Sequence, residues 1–219
     1  MTNQVFLASK SPRRNQLLTW AGFDVRVIAS NNHTLYAFEG DEELQPAELP
    51  EPYVRRTALN KFREGLALRA KLYPENNEGV VLAADTVVSL GDTILGKPVD
   101  QTEAKAFLNQ LSGQVHLVRT GVVVGRSETD CELIVQTSEV GFRELNSREI
   151  EVYTSSSEPY DKAGGYSIQG VGGLFVNHLS GSYSGVMGLP IAETAELLLK
   201  YGVSPTPVSY THLTLPTIA

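Results

Sequence analysis

Apolar residues along the chain follow two patterns, continuous runs and runs in which they recur every three or four positions. The continuous runs at 5–8 and 80–90 predict strands buried on both faces. Residues 115–125 and 133–142 are also predicted strands. The longer spacing predicts amphipathic helices, one of which carries Lys61 off an apolar stripe made by Leu59, Phe62, Leu66 and Ala70. This alternation of strands and helices predicts a mixed α/β fold.

Several predicted helices have a recognisable first residue. Polar side chains at such positions accept hydrogen bonds from the free N–H groups of the first turn, and proline fits the first helical position. These signals occur at Ser11 before Pro12, at Asp100 with Glu103, at Asn146 with Glu149, and at Pro190. Residues 31–52 are polar and acidic and contain prolines, without clear periodicity, and predict a long loop or an insertion.

The end of the chain differs from the rest. Residues 203–219 contain no Asp, Glu, Lys or Arg, and their sequence shows neither caps nor helical spacing. We therefore expect one functional domain over 1–202 and a tail over 203–219 that is non-native or disordered.

Net charge excludes some classes of partner. With 18 Lys and Arg against 25 Asp and Glu, the chain has a net charge of −7, which disfavours nucleic acid polymers and anionic membrane surfaces. A small polyanion would need a local cluster of cations. One cysteine, Cys131, excludes a disulfide framework and a multi-thiolate zinc site. No run approaches the length of a membrane span, and the first residues do not form a secretory signal, so a cytoplasmic location is expected.

The first cationic candidate lies at 9–14. Arg13 and Arg14 fall in the first turn of a predicted helix, where the helix dipole disfavours cations. A bound phosphate chain would compensate, because helix N–H groups, the hydroxyls of Ser9 and Ser11, and both guanidinium groups would converge on it. The alternative is that both arginines point into solvent or pair with the acids at 39–43.

Asp85 interrupts an otherwise apolar strand. A buried carboxylate is costly unless it is paired, binds a metal, or faces a cleft at the open end of a strand. The alternative to a functional role is a structural ion pair with a lysine such as Lys97. Ligands in α/β sheets bind at strand ends, which favours function.

A glycine-rich stretch follows Asp161 and Lys162 and contains Gln169. The Gln169 amide, with one acceptor and two donors, could bind the edge of a nucleotide base. The alternative is a glycine-rich turn with an incidental glutamine. The phosphate-binding motifs G-x-x-x-x-G-K-S/T and G-x-G-x-x-G are both absent from the sequence.

Taken together, these residues resemble the Maf family of nucleoside triphosphate pyrophosphatases. The matching blocks are LASKSPRRNQLL (7–18), YVRRTALNK (53–61), LAADTVV (82–88), ILGKPVD (94–100), LSGQVHLVRTGV (111–122), EPYDKAGGYSIQG (158–170) and GSYSGVMGLPIAET (181–194). The resemblance implies a mixed central sheet flanked by helices, with a deep cleft between two lobes. It also implies cleavage of a nucleoside triphosphate between the α and β phosphates, with Mg²⁺ or Mn²⁺, and frequent homodimers.

The resemblance also implies roles for individual residues. Asp85 matches the catalytic acid, taken as general base or metal ligand. Cations are placed around the phosphates at Arg14, Lys61, Lys97 and Lys162, with Ser9 and Ser11 in the same binding loop. A second metal-associated carboxylate is assigned to Glu42, with Glu39 and Glu43 as alternatives, because the stretch before Tyr53 is longer than in the family.

Three positions point to a branch of the family. Arg13, Thr86 and Gln169 match the branch that acts on dTTP and UTP, whereas the branch acting on 7-methyl-GTP replaces all three. The implied substrates are dTTP and UTP, with modified pyrimidine nucleotides as further candidates. Two other functions stay open: a nucleotide-binding regulator of cell division with incidental catalysis, and an enzyme of the related inosine-triphosphate pyrophosphatase group.

Overall fold

The computed structural model describes residues 2–29 and 43–206. The strands are β1 Gln4–Leu7, β2 Asp24–Val27, β3 Val81–Leu90, β4 Thr93–Leu95, β5 Val115–Gly125, β6 Cys131–Phe142 and β7 Val176–Ser180. The helices are α1 Pro12–Trp20, α2 Pro50–Leu72, α3 Gln101–Leu111, α4 Ser147–Thr154, α5 Tyr183–Met187 and α6 Ile191–Lys200. Short 3₁₀ turns include Glu158–Asp161, Ala163–Gly165 and Val171–Phe175.

The seven strands of the described ranges belong to one mixed sheet, in the order β2-β1-β3-β5-β6-β7, with β4 paired to β3. The first three strands in this order run parallel, and β3, β5, β6 and β7 pair antiparallel in sequence. The mixed α/β fold with flanking helices is therefore confirmed. No helix in the described ranges is both long enough and apolar enough to cross a membrane.

Side chains of β3 alternate between two covered faces of the sheet. Its odd-numbered residues 81 and 83 pack in a cluster with Phe62 of α2. Its even-numbered residues 82 and 84 pack with Leu18 of α1 and Leu198 of α6. Because successive residues of a strand point to opposite faces, Asp85 is directed towards α2 and Thr86 towards α1.

One edge of β3 is open at its centre. The strand pairs with β1 only at Val81 and Leu82, and with β4 only at 88–90. Between these pairings lie Asp85 and Thr86, which are joined to β5 on the other edge. Within the described residues the open stretch faces a cavity of about 360 Å³ instead of another strand.

A second lobe packs over the far end of the long strands. Its apolar cluster joins Val88 and Val118 of the sheet to α3, α4 and the aromatic rings of Phe142, Tyr166 and Phe175. The first lobe, built from α1 and α6, has a separate cluster. The cavity draws its lining from both lobes, as the expected cleft between them requires.

Most predicted boundaries are found to within two residues. Ser11, Asp100 and Asn146 cap their helices, the last in a complete capping box. The predicted loop 31–52 is wrong at its end, because α2 begins at Pro50. Lys61 lies off the apolar stripe as predicted, since Phe62, Leu59 and Leu66 pack in a cluster without it, but its side chain is buried against Asp85 and Ala70 is exposed.

The first residues of the predicted tail pack against the domain. Val203 is fully buried and forms a parallel bridge with Thr2, and the Thr206 N–H donates to the carbonyl of Gly22 at 2.9 Å. Structure therefore continues four residues beyond 202. Residues 207–219 lie outside the described part of the chain, so their foreign origin stays a prediction.

Candidate active site

The cavity at the open edge of β3 collects most of the residues predicted to carry function. Among its lining side chains are Ser9, Ser11, Arg13, Arg14, Lys61, Asp85, Thr86, Lys97, Lys162 and Gln169. These residues come from the β1–α1 loop, α1, α2, β3 and the segments that follow β4 and α4. A remaining part of the lining is apolar and belongs mainly to the second lobe: Val88, Val118, Tyr166, Ile168 and Val186.

Asp85 is held by two residues of α2. Its Oδ1 lies 2.6 Å from Lys61 Nζ, and its Oδ2 accepts a hydrogen bond from Thr57 Oγ1, also at 2.6 Å. Lys61 and Thr57 are four residues apart on one helical face, so both reach the same carboxylate. The ion pair with a lysine that was the alternative to a functional role is present, but its lysine is Lys61 and not Lys97.

Close packing brings α2 within reach of the strand. Gly121 of β5 is the Cα partner of Asp85, and a Cβ at Gly121 would stand 2.9 Å from the Val54 carbonyl oxygen. Only glycine lets the helix backbone approach this closely. Burial raises the pKa of Asp85, but the charges of Lys61 and Arg14 and the hydrogen bonds to the carboxylate outweigh it. The pKa therefore lies below its usual value of 3.8, and the group is an anion at neutral pH.

Arg14 is buried, with 8% exposure, on the other side of β3. Its Nε donates to the Gly188 carbonyl at 2.8 Å, Nη1 to Ser9 Oγ at 3.1 Å, and Nη2 to Thr86 Oγ1 at 3.2 Å. The alternative in which this arginine points into solvent is therefore excluded. Ser11 caps the helix by accepting from the Arg14 N–H, as predicted.

Two further cations approach the cavity from opposite lobes. Arg13 of α1 lies 3.9 Å from the carboxylate of Asp161, which also pairs with Lys162. The Lys162 ammonium group donates to the Glu158 carbonyl at 2.8 Å. Asp161 thus links Arg13 and Lys162 across the cavity, and an incoming anion would compete with it for both cations.

The second carboxylate is the one predicted site residue that cannot be located. Glu42, like its alternative Glu39, lies outside the described residues. Glu43 is described, but it is exposed and does not line the cavity. Within 2–29 and 43–206, no group of three or more His, Cys, Asp and Glu side chains could hold a metal ion.

Sequence analysis did not single out four residues that line or support the cavity: Gly188, which lines it, and Thr57, Thr120 and His116, which lie behind its lining. Thr120 hydrogen bonds to Thr86. His116 is buried behind the apolar lining, and its Nε2 lies 2.8 Å from the Tyr166 hydroxyl. Burial lowers the pKa of His116 to about 4, so its ring is neutral at pH 7. A helical wheel extended four residues back from Lys61 could have found Thr57.

Comparison with known proteins agrees with this geometry. Residues 4–201 match the family described as Maf-like protein. The chain belongs to the Maf family. It is 45% identical over 204 residues to the dTTP/UTP pyrophosphatase of Dechloromonas aromatica, covering 92% of this chain and 99% of that protein.

Two more relatives have the same name and match the chain over a similar length. The dTTP/UTP pyrophosphatase of Bordetella avium is 45% identical over 92% of this chain and 96% of its own length. That of Pseudoalteromonas translucida is 44% identical over 90% of this chain and 97% of its own length. The family membership therefore extends over both lobes and the cleft between them.

Proposed function

We propose that this chain hydrolyses dTTP and UTP, and modified pyrimidine nucleotides of the same shape, to the nucleoside monophosphate and pyrophosphate. One observation carries the proposal: an ionised, buried Asp85 lies in the same cavity as Arg13, Arg14, Lys97 and Lys162. The names of the relatives agree with this chemistry.

The cations explain how an acidic chain can bind a triphosphate. Each would neutralise phosphate oxygens in a partly enclosed site, where charge interactions are stronger than in water. Arg14 is already oriented by three hydrogen bonds, so little conformational freedom is lost when phosphate binds. Charge that develops on the pyrophosphate leaving group would meet the same cations. Ser9 and Ser11 complete the loop around the phosphates.

Asp85 could supply one oxygen ligand to a divalent cation, with the other ligands coming from outside the described carboxylates. Mg²⁺ and Mn²⁺ prefer oxygen ligands, and Mg²⁺ is commonly held by one or two carboxylates together with substrate phosphates. Asp85 would supply one carboxylate, and Glu42 is proposed as the second. When bound, the metal would neutralise phosphate charge and lower the pKa of a water molecule. Lys61 and Thr57 keep the Asp85 carboxylate fixed and ionised, and that carboxylate would orient the attacking water.

The base would lie against the second lobe. Its apolar lining, which includes Val118 and Ile168, suits a flat ring, and Gln169 offers donors and acceptors to the edge of a pyrimidine. Gln169 is exposed, so its amide is available to a ligand. We also propose a cytoplasmic location, where nucleoside triphosphates are present, and a homodimeric assembly.

The test is release of pyrophosphate from a panel of nucleoside triphosphates with Mg²⁺ or Mn²⁺. We expect dTTP and UTP to be the fastest substrates, and Asp85→Asn to lose at least about 100-fold in kcat, as for a positioned acid–base group. Asp92→Asn, an exposed aspartate in the β3–β4 turn, is the matched control and should retain full activity.

Different outcomes separate the alternatives. Equal rates for the wild type and Asp85→Asn would refute the role of Asp85. Faster cleavage of purine nucleotides would refute the pyrimidine preference and favour the inosine-triphosphate group. Tight nucleotide binding without turnover by the wild type would favour the regulatory protein.

A further inference from the structure

A row of hydroxyl groups runs from Arg14, at the wall of the cavity, into the interior of the protein. Arg14 Nη2 lies 3.2 Å from Thr86 Oγ1, which lies 2.9 Å from Thr120 Oγ1. Thr120 Oγ1 in turn donates to the Gly185 carbonyl at 2.8 Å. Thr86 and Thr120 are Cα partners on adjacent strands β3 and β5, so the sheet register brings the two hydroxyls together.

Counting protons gives this row one direction. A threonine hydroxyl has a single proton, and a carbonyl can only accept. Thr120 therefore uses its proton on Gly185, and the proton between the two threonines must come from Thr86. The guanidinium group can only donate, so Thr86 accepts from Arg14. In this arrangement Thr86 has no hydroxyl proton left for a substrate oxygen.

The row closes into a ring through α5. The row ends at the carbonyl of Gly185. This carbonyl also accepts from the Gly188 N–H at 3.0 Å, within one turn. The Gly188 carbonyl in turn accepts from Arg14 Nε at 2.8 Å. Thr120 is fully buried, so water cannot replace its hydrogen bonds. The ring holds two nitrogens of the Arg14 guanidinium group, Nε and Nη2, by hydrogen bonds.

We propose that Thr120, which does not line the cavity, is a positioning residue that fixes the Thr86 hydroxyl and thereby holds Arg14 oriented towards a bound phosphate chain. This inference rests on the proposed function for the nature of the ligand. It also gives Thr86 a role different from that implied by the family resemblance: Thr86 acts on Arg14 and not directly on the nucleotide.

Thr120→Val tests the inference because valine has the same shape without the hydroxyl. We expect kcat/KM for dTTP to fall roughly 5- to 10-fold, the size of one lost buried hydrogen bond, and Thr120→Ser to restore it to within about twofold. Thr154→Val is the matched control. Its hydroxyl is equally buried and bonds to the Ile150 carbonyl in α4, outside the cavity, so it should change stability without changing kcat/KM.

A double-mutant cycle keeps the inference testable whatever the stability of the single variants. If the hydroxyls act as one row, the double variant Thr86→Val/Thr120→Val should lose no more kcat/KM for dTTP than Thr86→Val alone. Additive losses would overturn the inference, as would a Thr120→Val protein with wild-type kcat/KM.

Failure of the proposed function would show itself separately, as a wild type that releases no pyrophosphate from dTTP. The inference would then be tested by the affinity for inorganic tripolyphosphate, measured by calorimetry. We expect Thr120→Val to weaken that affinity roughly 5- to 10-fold, with recovery in Thr120→Ser. Unchanged affinity would overturn it.

Discussion

Asp85 and Thr86 are neighbours in one strand, yet they belong to two different environments. Asp85 faces α2, where a charged partner and a hydroxyl hold it. Thr86 faces α1 and α5, where it belongs to a row of neutral hydroxyls that ends on a backbone carbonyl. The alternation of a β-strand thus places the carboxylate proposed to act in catalysis on one side of the sheet, and the supports of the arginine proposed to bind phosphate on the other.

The α2 side of β3, with Asp85, and the α1 side, with Thr86, should differ in how much stability and activity a single substitution removes. An unpaired buried charge is far more expensive than an unpaired hydroxyl, because its desolvation is uncompensated. The α2 side should therefore respond to substitution with large losses of stability and activity. The α1 side should respond mainly through the position of Arg14, with smaller losses.

The largest effect is expected for Lys61→Met, which leaves the Asp85 carboxylate buried without its ion-pair partner. We expect unfolding free energy to fall by about 3–5 kcal/mol in urea titrations. The double variant Lys61→Met/Asp85→Asn should regain part of this loss, because the unpaired charge is removed.

Lys71→Met is the control for this prediction, since Lys71 is exposed near the end of the same helix and has no described ion-pair role. It should change stability by less than about 0.5 kcal/mol. A Lys61→Met protein as stable as the wild type would show that the ion pair contributes no stability and would remove the contrast between the two sides.

A smaller effect is expected at Gly188, which accepts from Arg14 and has a φ of 120°. Alanine is strained at this φ, so Gly188→Ala should lose about 1–3 kcal/mol of stability. The Cβ itself would make only an ordinary contact with Arg14 Nε, at 3.6 Å. A backbone change that relieves the strain would move the Gly188 carbonyl, and with it Arg14, which should raise KM for dTTP.

Gly202→Ala separates strain from position. Gly202 also has a positive φ, of 76°, but a Cβ there would meet nothing within 4 Å, and Gly202 does not line the cavity. We expect it to lose stability with no change in KM. If both variants kept the wild-type KM, Gly188 would have no part in placing Arg14.

The two sides also differ in how far they could be predicted from sequence. Asp85 was identifiable because a carboxylate in an apolar strand is costly unless it has a partner or a function. The start of α1 was identifiable from Ser11 and Pro12, which are local signals. The family resemblance supplied Lys61, Lys97 and Lys162, which no local pattern distinguished from surface lysines.

The remaining contacts depend on packing that one segment does not encode. Thr120 lies opposite Thr86 only because β3 and β5 pair in a particular register. The apolar stripe of α2 did not predict that Thr57 and Lys61, which lie beside it, are buried against Asp85, or that Ala70 is exposed. The helical spacing of apolar residues does not reveal a helix face whose buried residues are polar because they bind a residue on a neighbouring strand.

The most direct test of the central claim is a crystal structure of Asp85→Asn with dTTP and Mg²⁺. The claim is that the cleft between the lobes is one triphosphate site, with the phosphates on the cations and the base on the second lobe. We expect phosphate oxygens within hydrogen-bonding distance of Arg14 and Lys97, and the thymine beside Gln169. A nucleotide bound elsewhere, or with its phosphates away from these cations, would contradict the account.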